Sequence, residues 1–275
     1  LFWALLLGAA GLGAAYLQYL GPPAPVAGTV QAAVHAPESV AAAPAPAQPK
    51  LPVLPPGSPE IAVMLAGLGY DPAQSLQAAT ALPASVSFAV SPFGGYLNET
   101  EAYARANGHE LILMLPMQAL LARAPAGQNQ ALFNWSLGRL PHVTGVTDAI
   151  GPAMGGGFMQ DADARNWLLG NIASHGLYYI EGDMNAAGFG IISHRVADAV
   201  IDPVNDSKDE AGQLARLIAI AKSKHSALAV ILGAPPDSLT ALANWTATLG
   251  GMGIALVPAS ALVNPPLPMS TSSLP

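Results

Sequence analysis

Gly108–Met117 reads GHELILMLPM: a glycine, two polar residues, an unbroken apolar run and a proline. Each part has a structural meaning. Glycine just past a helical stretch (Leu97–Ala106) supplies the left-handed residue that ends a helix. The run is too short for a helix and has no polar alternation, so it reads as a strand covered on both faces, which is the habit of parallel sheets. The same unit recurs along the chain. Apolar runs lie at Ile61–Leu65, Ser85–Val90, Glu110–Leu115, Val143–Thr147, Leu177–Ile180, Ala199–Ile201, Ala227–Leu232 and Ile254–Val257. Helical stretches separate most of them, at Ala73–Ala81, Leu97–Ala106, Gln130–Arg139, Ala162–Ser174, Lys208–Ser223 and Ser238–Leu249. Asp161 and Asp163 place acid at a helix start, Gly176 follows a helix end, and Pro83 closes the first helix. Strands alternating with helices predict an α/β fold with a parallel sheet, here an irregular (β/α)7-8 barrel, with any site at the C-terminal ends of the strands.

Outward from this region, 60–264, the composition changes. Residues 21–59 are rich in Pro and Ala and poor in large apolar side chains. Such a stretch buries too little to offset its ordering entropy and reads as a disordered, partly polyproline tether. Residues 265–275 read as a frayed tail. Residues 1–20, LFWALLLGAAGLGAAYLQYL, carry no charge. About 20 apolar residues are what a helix needs to cross a bilayer, and Trp3, Tyr16 and Tyr19 suit its interfaces. A transmembrane anchor is the first expectation and a cleaved signal segment the second. Either sends the domain to the periplasm or extracellular space.

Charge and composition exclude several classes. With a formal charge of −7 and only 10 Lys and Arg, there is no basic cluster for nucleic acid. The absence of cysteine removes disulfides, thiolate metal sites and cysteine nucleophiles. Gly67 and Gly69 lack the third glycine of a dinucleotide fingerprint, and no serine stands in a nucleophile-elbow context. Trp135, Trp167 and Trp245 fall within helical stretches, where core or interface packing is the plainer reading than a sugar platform.

The ordered set IAVMLAGLGYD (Ile61–Asp71), GHELILMLPM, TGVTDAIG (Thr144–Gly151), GLYYIEGD (Gly176–Asp183), ADAVID (Ala197–Asp202), ALAVILGAPPDSLTALANW (Ala227–Trp245) and GIALVPAS resembles the divergent polysaccharide deacetylases, distant relatives of NodB-type carbohydrate esterases. The resemblance implies a distorted (β/α) barrel at the cell envelope, removing N-acetyl groups from polysaccharide with a divalent metal, usually zinc. There one Asp and two His hold a metal that activates water, assisted by a carboxylate base and a His acid. This chain departs from that pattern at every ligand position the resemblance supplies. Ala66 and Gly67 stand where the paired acids belong, Ala149 where a His follows strand four, and Ala234 in the Gly-His-Pro segment after strand seven. The expectation is therefore no metal cofactor, and a domain that binds cell-wall glycan or an envelope protein.

What remains at the strand ends is acidic: Asp148, Glu181, Asp183 and Asp202. Converged, these carboxylates suit Ca²⁺, Mg²⁺ or sugar hydroxyls, and so a relocated catalytic site. The competing reading is that they cap helices and bond loop amides. The histidines (His35, His109, His142, His175, His194 and His225) show no metal-ligand spacing; only His194 is placed to approach the upper face.

Overall fold

The computed structural model describes residues 52, 54–125, 127–148, 157–183, 192–204, 209–233 and 235–266, all within the second of two compact units, 44–275. The segment 1–20 and nearly all of the tether therefore lie outside the described residues. Among those described, no helix is long and apolar enough to cross a membrane.

The strands are β1 (Glu60–Leu68), β2 (Ser87–Val90), β3 (Leu111–Met114), β4 (Gly145–Thr147), β5 (Tyr178–Glu181), β6 (His194–Val196), β7 (Ala199–Ile201), β8 (Ser226–Leu232) and β9 (Ala255–Val257). The helices are α1 (Pro72–Ala81), α2 (Leu97–Ala106), α3 (Gln128–Arg139), α4 (Ala162–Ser174), α5 (Glu210–Lys224) and α6 (Pro236–Leu249). Local chemistry starts and stops them as the sequence predicts. Asp161 caps α4 by accepting the Asp163 and Ala164 N–H groups at 3.1 and 3.0 Å. Asp71 does the same for α1, accepting Ala73 N–H at 2.8 Å. Gly108 and Gly176, at φ +77° and +68°, turn the chain out of α2 and α4.

The sheet is parallel, in the order β6-β5-β4-β3-β2-β1-β8-β7, with β9 paired to the first residues of β1. Its two edges are consecutive in the chain. Ala197 N–H still donates to Glu181 O on β5, at 2.9 Å, and Asp198 N–H already donates to Leu228 O on β8, at 2.8 Å. Asp198 fixes this change of partner: its carboxylate accepts Leu228 N–H at 3.0 Å and pairs with Arg195 and Lys224. The result is a curled, irregular (β/α) half-barrel whose edges are joined by one continuous segment. β6, absent from the sequence expectation, is the part of that segment that leans on β5.

Alternate residues of each strand enter separate cores. Ile61, Val63, Leu65, Phe88, Val90, Leu111, Leu113, Val146, Tyr179, Ala227, Ala229 and Ile231 face the helices. Ala62, Met64, Ala66, Ala89, Ile112, Met114, Tyr178, Ile180, Leu228 and Val230 face the inside of the curl. Each fully buried aliphatic side chain is worth about 1.5–3 kcal/mol, so both faces hold the sheet, as its continuous apolar runs require. The inner face ends in polar bonds at the N-terminal edge of the strands. There Glu110 accepts the hydroxyls of Ser87 and Thr144 at 2.8 and 3.1 Å, and the Ser260 N–H at 3.2 Å. Ala259 N–H donates to Ser87 Oγ at 2.9 Å, fastening the C-terminal helical turn Ala259–Leu262 beneath the sheet.

Candidate functional site

The C-terminal ends of the strands form the face where this architecture places its chemistry. At the end of β1 the ladder to β2 slips between Ala66 and Leu68, and Gly67 at φ +89° occupies the slip. Only glycine takes this conformation without cost, so Gly67 makes the bulge possible. Gly233 N–H donates to Ala66 O at 2.9 Å, which brings the ends of β1 and β8 side by side. Gly67 N–H donates to Met114 Sδ at 3.2 Å. At this level the inner face carries Ala66, Ala89, Met114 and Ile180, whose side chains have no oxygen or nitrogen, and one hydroxyl, that of Thr147, in register with Met114 and Ile180. Ala149 and Ala234 lie outside the described residues, but as alanines they too lack a ligating atom. A thioether is a weak, soft ligand and a methyl group is none. The described residues at these strand ends do not fit the metal that the family resemblance implies.

The acids gather elsewhere. Glu181, like Tyr179, belongs to the helix-facing side of β5, and Asp148 follows β4 in the same phase. Asp148 Oδ1 accepts the Gly182 N–H at 2.7 Å. Burial raises the Asp148 pKa above the usual carboxylate value, opposed by the Gly182 N–H and the nearby Tyr179 hydroxyl. Glu181 is 3% exposed, and its Oε2 has no hydrogen-bond partner among the described residues. Burial first, then the charges of Asp148 and Asp183, push its pKa up to about 8, against the pull of Arg165 on α4. Asp148, Glu181 and Asp183 thus form one group between β4, β5 and α4. Asp202 follows β7, where its Oδ1 accepts the Val204 N–H at 3.0 Å in a turn of its own.

This placement combines the two sequence readings. Asp148 bonds a loop amide and Asp202 closes a turn, yet Glu181 keeps a raised pKa in the range useful for proton transfer. A carboxyl poised near neutrality can donate or accept a proton, but this one is buried on the helix side of the sheet.

The described histidines hold structural posts; His35 lies outside the described residues. His109 is buried, with Nδ1 2.9 Å from Val86 O and Nε2 3.0 Å from Ala79 O. His142 pairs with Glu101, His175 Nδ1 meets Asn171 O at 2.8 Å, and His225 ends α5 at φ +65°. His194 opens β6 opposite Tyr179, and its backbone bridges Asn264, at the lower end of its strand rather than the upper face. Among the described residues, no three His, Asp or Glu side chains are placed to hold a metal ion together. Trp167 packs edge-on against Phe133 and Phe158, as expected of a core residue, whereas Trp135 is half exposed.

The model of the divergent polysaccharide deacetylase family matches residues 63–263, nearly all of the folded region. The uncharacterized protein YibQ of Escherichia coli (strain K12) is 25% identical over 232 residues, covering 75% of this chain and 68% of YibQ. The crystal structure of the uncharacterized protein ATU2773 from Agrobacterium tumefaciens C58 superimposes with a TM-score of 0.66 at 25% identity, covering 75% of this chain and 89% of that one. The structure of EF3048 from Enterococcus faecalis V583 shares the fold, with a TM-score of 0.51 at 12% identity over 75% of this chain and 100% of that one.

Proposed function

This chain belongs to the divergent polysaccharide deacetylase family, and we propose that it binds envelope polysaccharide without the metal-dependent deacetylation of its NodB-type relatives. One observation carries this reading: among the described residues, the inner face of the sheet brings no carboxylate or imidazole to the ends of its strands, with Ala66, Ala89, Met114, Ile180 and the Thr147 hydroxyl where ligands and a base would stand. Hydrolysis of an amide by that route needs a polarised carbonyl and an activated water, and these side chains supply neither. The scaffold retains the strand-end surface on which a glycan strand can lie. In this reading residues 1–20 anchor the chain in a membrane and residues 21–59 tether it. The domain then stands in the periplasm or extracellular space.

The test is sedimentation of the purified protein with peptidoglycan and with chitin, alongside measurement of acetate release with and without added zinc. Co-sedimentation without acetate release is expected. Zinc-dependent release that a chelator abolishes would overturn the proposal. Recovery from membranes of a protein partner, with no retention on glycan, would shift the role to envelope-protein docking.

A second reading rests on Glu181. A carboxyl with a pKa of about 8 beside Asp148 and Asp183 suits general acid–base work at neutral pH, so this acidic group would serve a relocated, metal-free hydrolytic site. It predicts acetate release that Glu181→Gln abolishes in a folded protein. Turnover equal to wild type in that variant ends it.

A further inference from the structure

Four large aromatic side chains that the core leaves uncovered gather on one surface. Tyr70 follows β1, Phe93 and Tyr96 follow β2, and Trp135 lies on α3; they are 55, 46, 43 and 44% exposed. Short contacts join them. The Tyr70 hydroxyl lies 2.7 Å from Ser91 Oγ, which also accepts the Phe93 N–H at 3.3 Å. Tyr96 N–H donates to Gly69 O, beside Tyr70, at 3.0 Å. The rings of Phe93 and Trp135 are 5.4 Å apart, tilted by 36°. Arg139 lies over the Trp135 ring at 6.0 Å and donates to Pro92 O and Gly94 O at 3.3 and 3.1 Å.

The loops that carry these rings are held rigidly. A β-carbon on Gly94 would lie 2.5 Å from Gly69 O, so the loops after β1 and β2 meet backbone to backbone. Rigid rings cost little ordering entropy on binding. Their exposure leaves apolar area in water that only a ligand or partner would cover. Hydroxyls and peptide groups lie among the rings, at the Tyr70–Ser91 pair and at the Pro92 and Gly94 carbonyls, whereas the core of a protein interface is more uniformly apolar. Of the nearby carboxylates, Asp71, next to Tyr70, is spent capping α1, and Glu99 lies on the first turn of α2, past Tyr96. Whichever hydroxyl of the Tyr70–Ser91 pair donates, the other keeps a proton for an outside acceptor.

Flat apolar faces beside fixed hydroxyls match the pyranose ring, which has an apolar C–H face and a rim of hydroxyls. We infer that Tyr70, Phe93, Tyr96 and Trp135 form a stacking platform for a neutral, N-acetylated glycan strand at the C-terminal ends of β1 and β2. The inference rests on the glycan-binding reading above and names its contact surface. It also assigns Trp135 the platform role that its helical position argued against.

Calorimetric titration with chitohexaose tests it, on wild type, Phe93→Ala/Trp135→Ala, Tyr96→Ser and, as control, Leu76→Ala, which removes an exposed side chain on α1. The double variant should bind roughly tenfold or more weakly and Tyr96→Ser severalfold more weakly, with the control unchanged. The single Tyr96→Ser change removes one exposed ring, so it reports on the platform even if the double variant is misfolded. Equal affinity in folded platform variants and wild type would overturn the platform while leaving glycan binding intact. Wild type that binds neither chitohexaose nor peptidoglycan would overturn both.

Discussion

The peptide N–H of Gly67 donates to the Met114 thioether across the end of the inner face, at 3.2 Å. A weak acceptor thus takes the hydrogen bond at the position where the sequence resemblance leads one to expect an acid. The residue at this bulge adopts φ +89°. Placing an acid there therefore strains the backbone. Gly67→Asp should lower stability by about 1–3 kcal/mol through backbone strain and still yield no stoichiometric zinc. Denaturant unfolding and zinc titration check both parts, and a stable variant binding one zinc would contradict them.

Much of this architecture is written locally. The apolar runs of β1, β3 and β8, the Asp161 cap, and the glycines after α2 and α4 each follow from residues within one turn or one strand. β6 does not. His194-Arg195-Val196 has no apolar run, and it forms a strand only because the chain must pass from β5 to β8 within a few residues. The direction of the acids was hidden for another reason. In Tyr178-Tyr179-Ile180-Glu181 both phases are buried, so alternation cannot tell the inner face from the helix face. Their convergence is legible from strand order, but their side of the sheet is not. Trp135 shows the same limit on a helix: apolar residues surround α3, and Phe133 is the ring it turns inward.

His109 links β3 to the helix layer. Its ring stacks on Phe88, with centroids 4.1 Å apart, and each nitrogen faces a carbonyl. A neutral imidazole has one N–H, so it satisfies one carbonyl; protonation would satisfy both, but burial lowers the pKa. His109→Ala leaves both carbonyls and a cavity behind and should cost about 2–4 kcal/mol. Urea unfolding at neutral pH checks this, and a loss below 1 kcal/mol would contradict it.

Glu110 ties β2, β4 and the C-terminal turn together through Ser87, Thr144 and Ser260. Replacing it by Ala removes the acceptor of the Ser87 hydroxyl and of the Ser260 N–H at the lower end of the sheet, while the Thr144 hydroxyl keeps Leu111 O at 3.3 Å. Glu110→Ala should destabilise by about 2–4 kcal/mol, and amide exchange should accelerate first around residues 259–262. Uniform acceleration throughout the domain would instead mean that the turn is not held by this carboxylate.

Glu181 makes stability depend on pH with a definite sign. Its folded pKa of about 8 lies above the ordinary 4.5 of an exposed glutamate. Between these values the folded state keeps the proton that the unfolded chain has lost, so this residue's contribution falls as pH rises from about 5 to about 8. Glu181→Gln imitates the protonated form and removes the titration. At pH 5 the variant should match wild type; from there to pH 8 its advantage should grow by up to about 1.4 kcal/mol per pH unit. Asp148 is shifted in the same direction and its charge acts on Glu181, so the difference between the two proteins reports the Glu181 titration together with its coupling to Asp148. A pH-independent difference would place the charged form of Glu181 in the folded state already at pH 5 and remove the basis for a proton-transfer role.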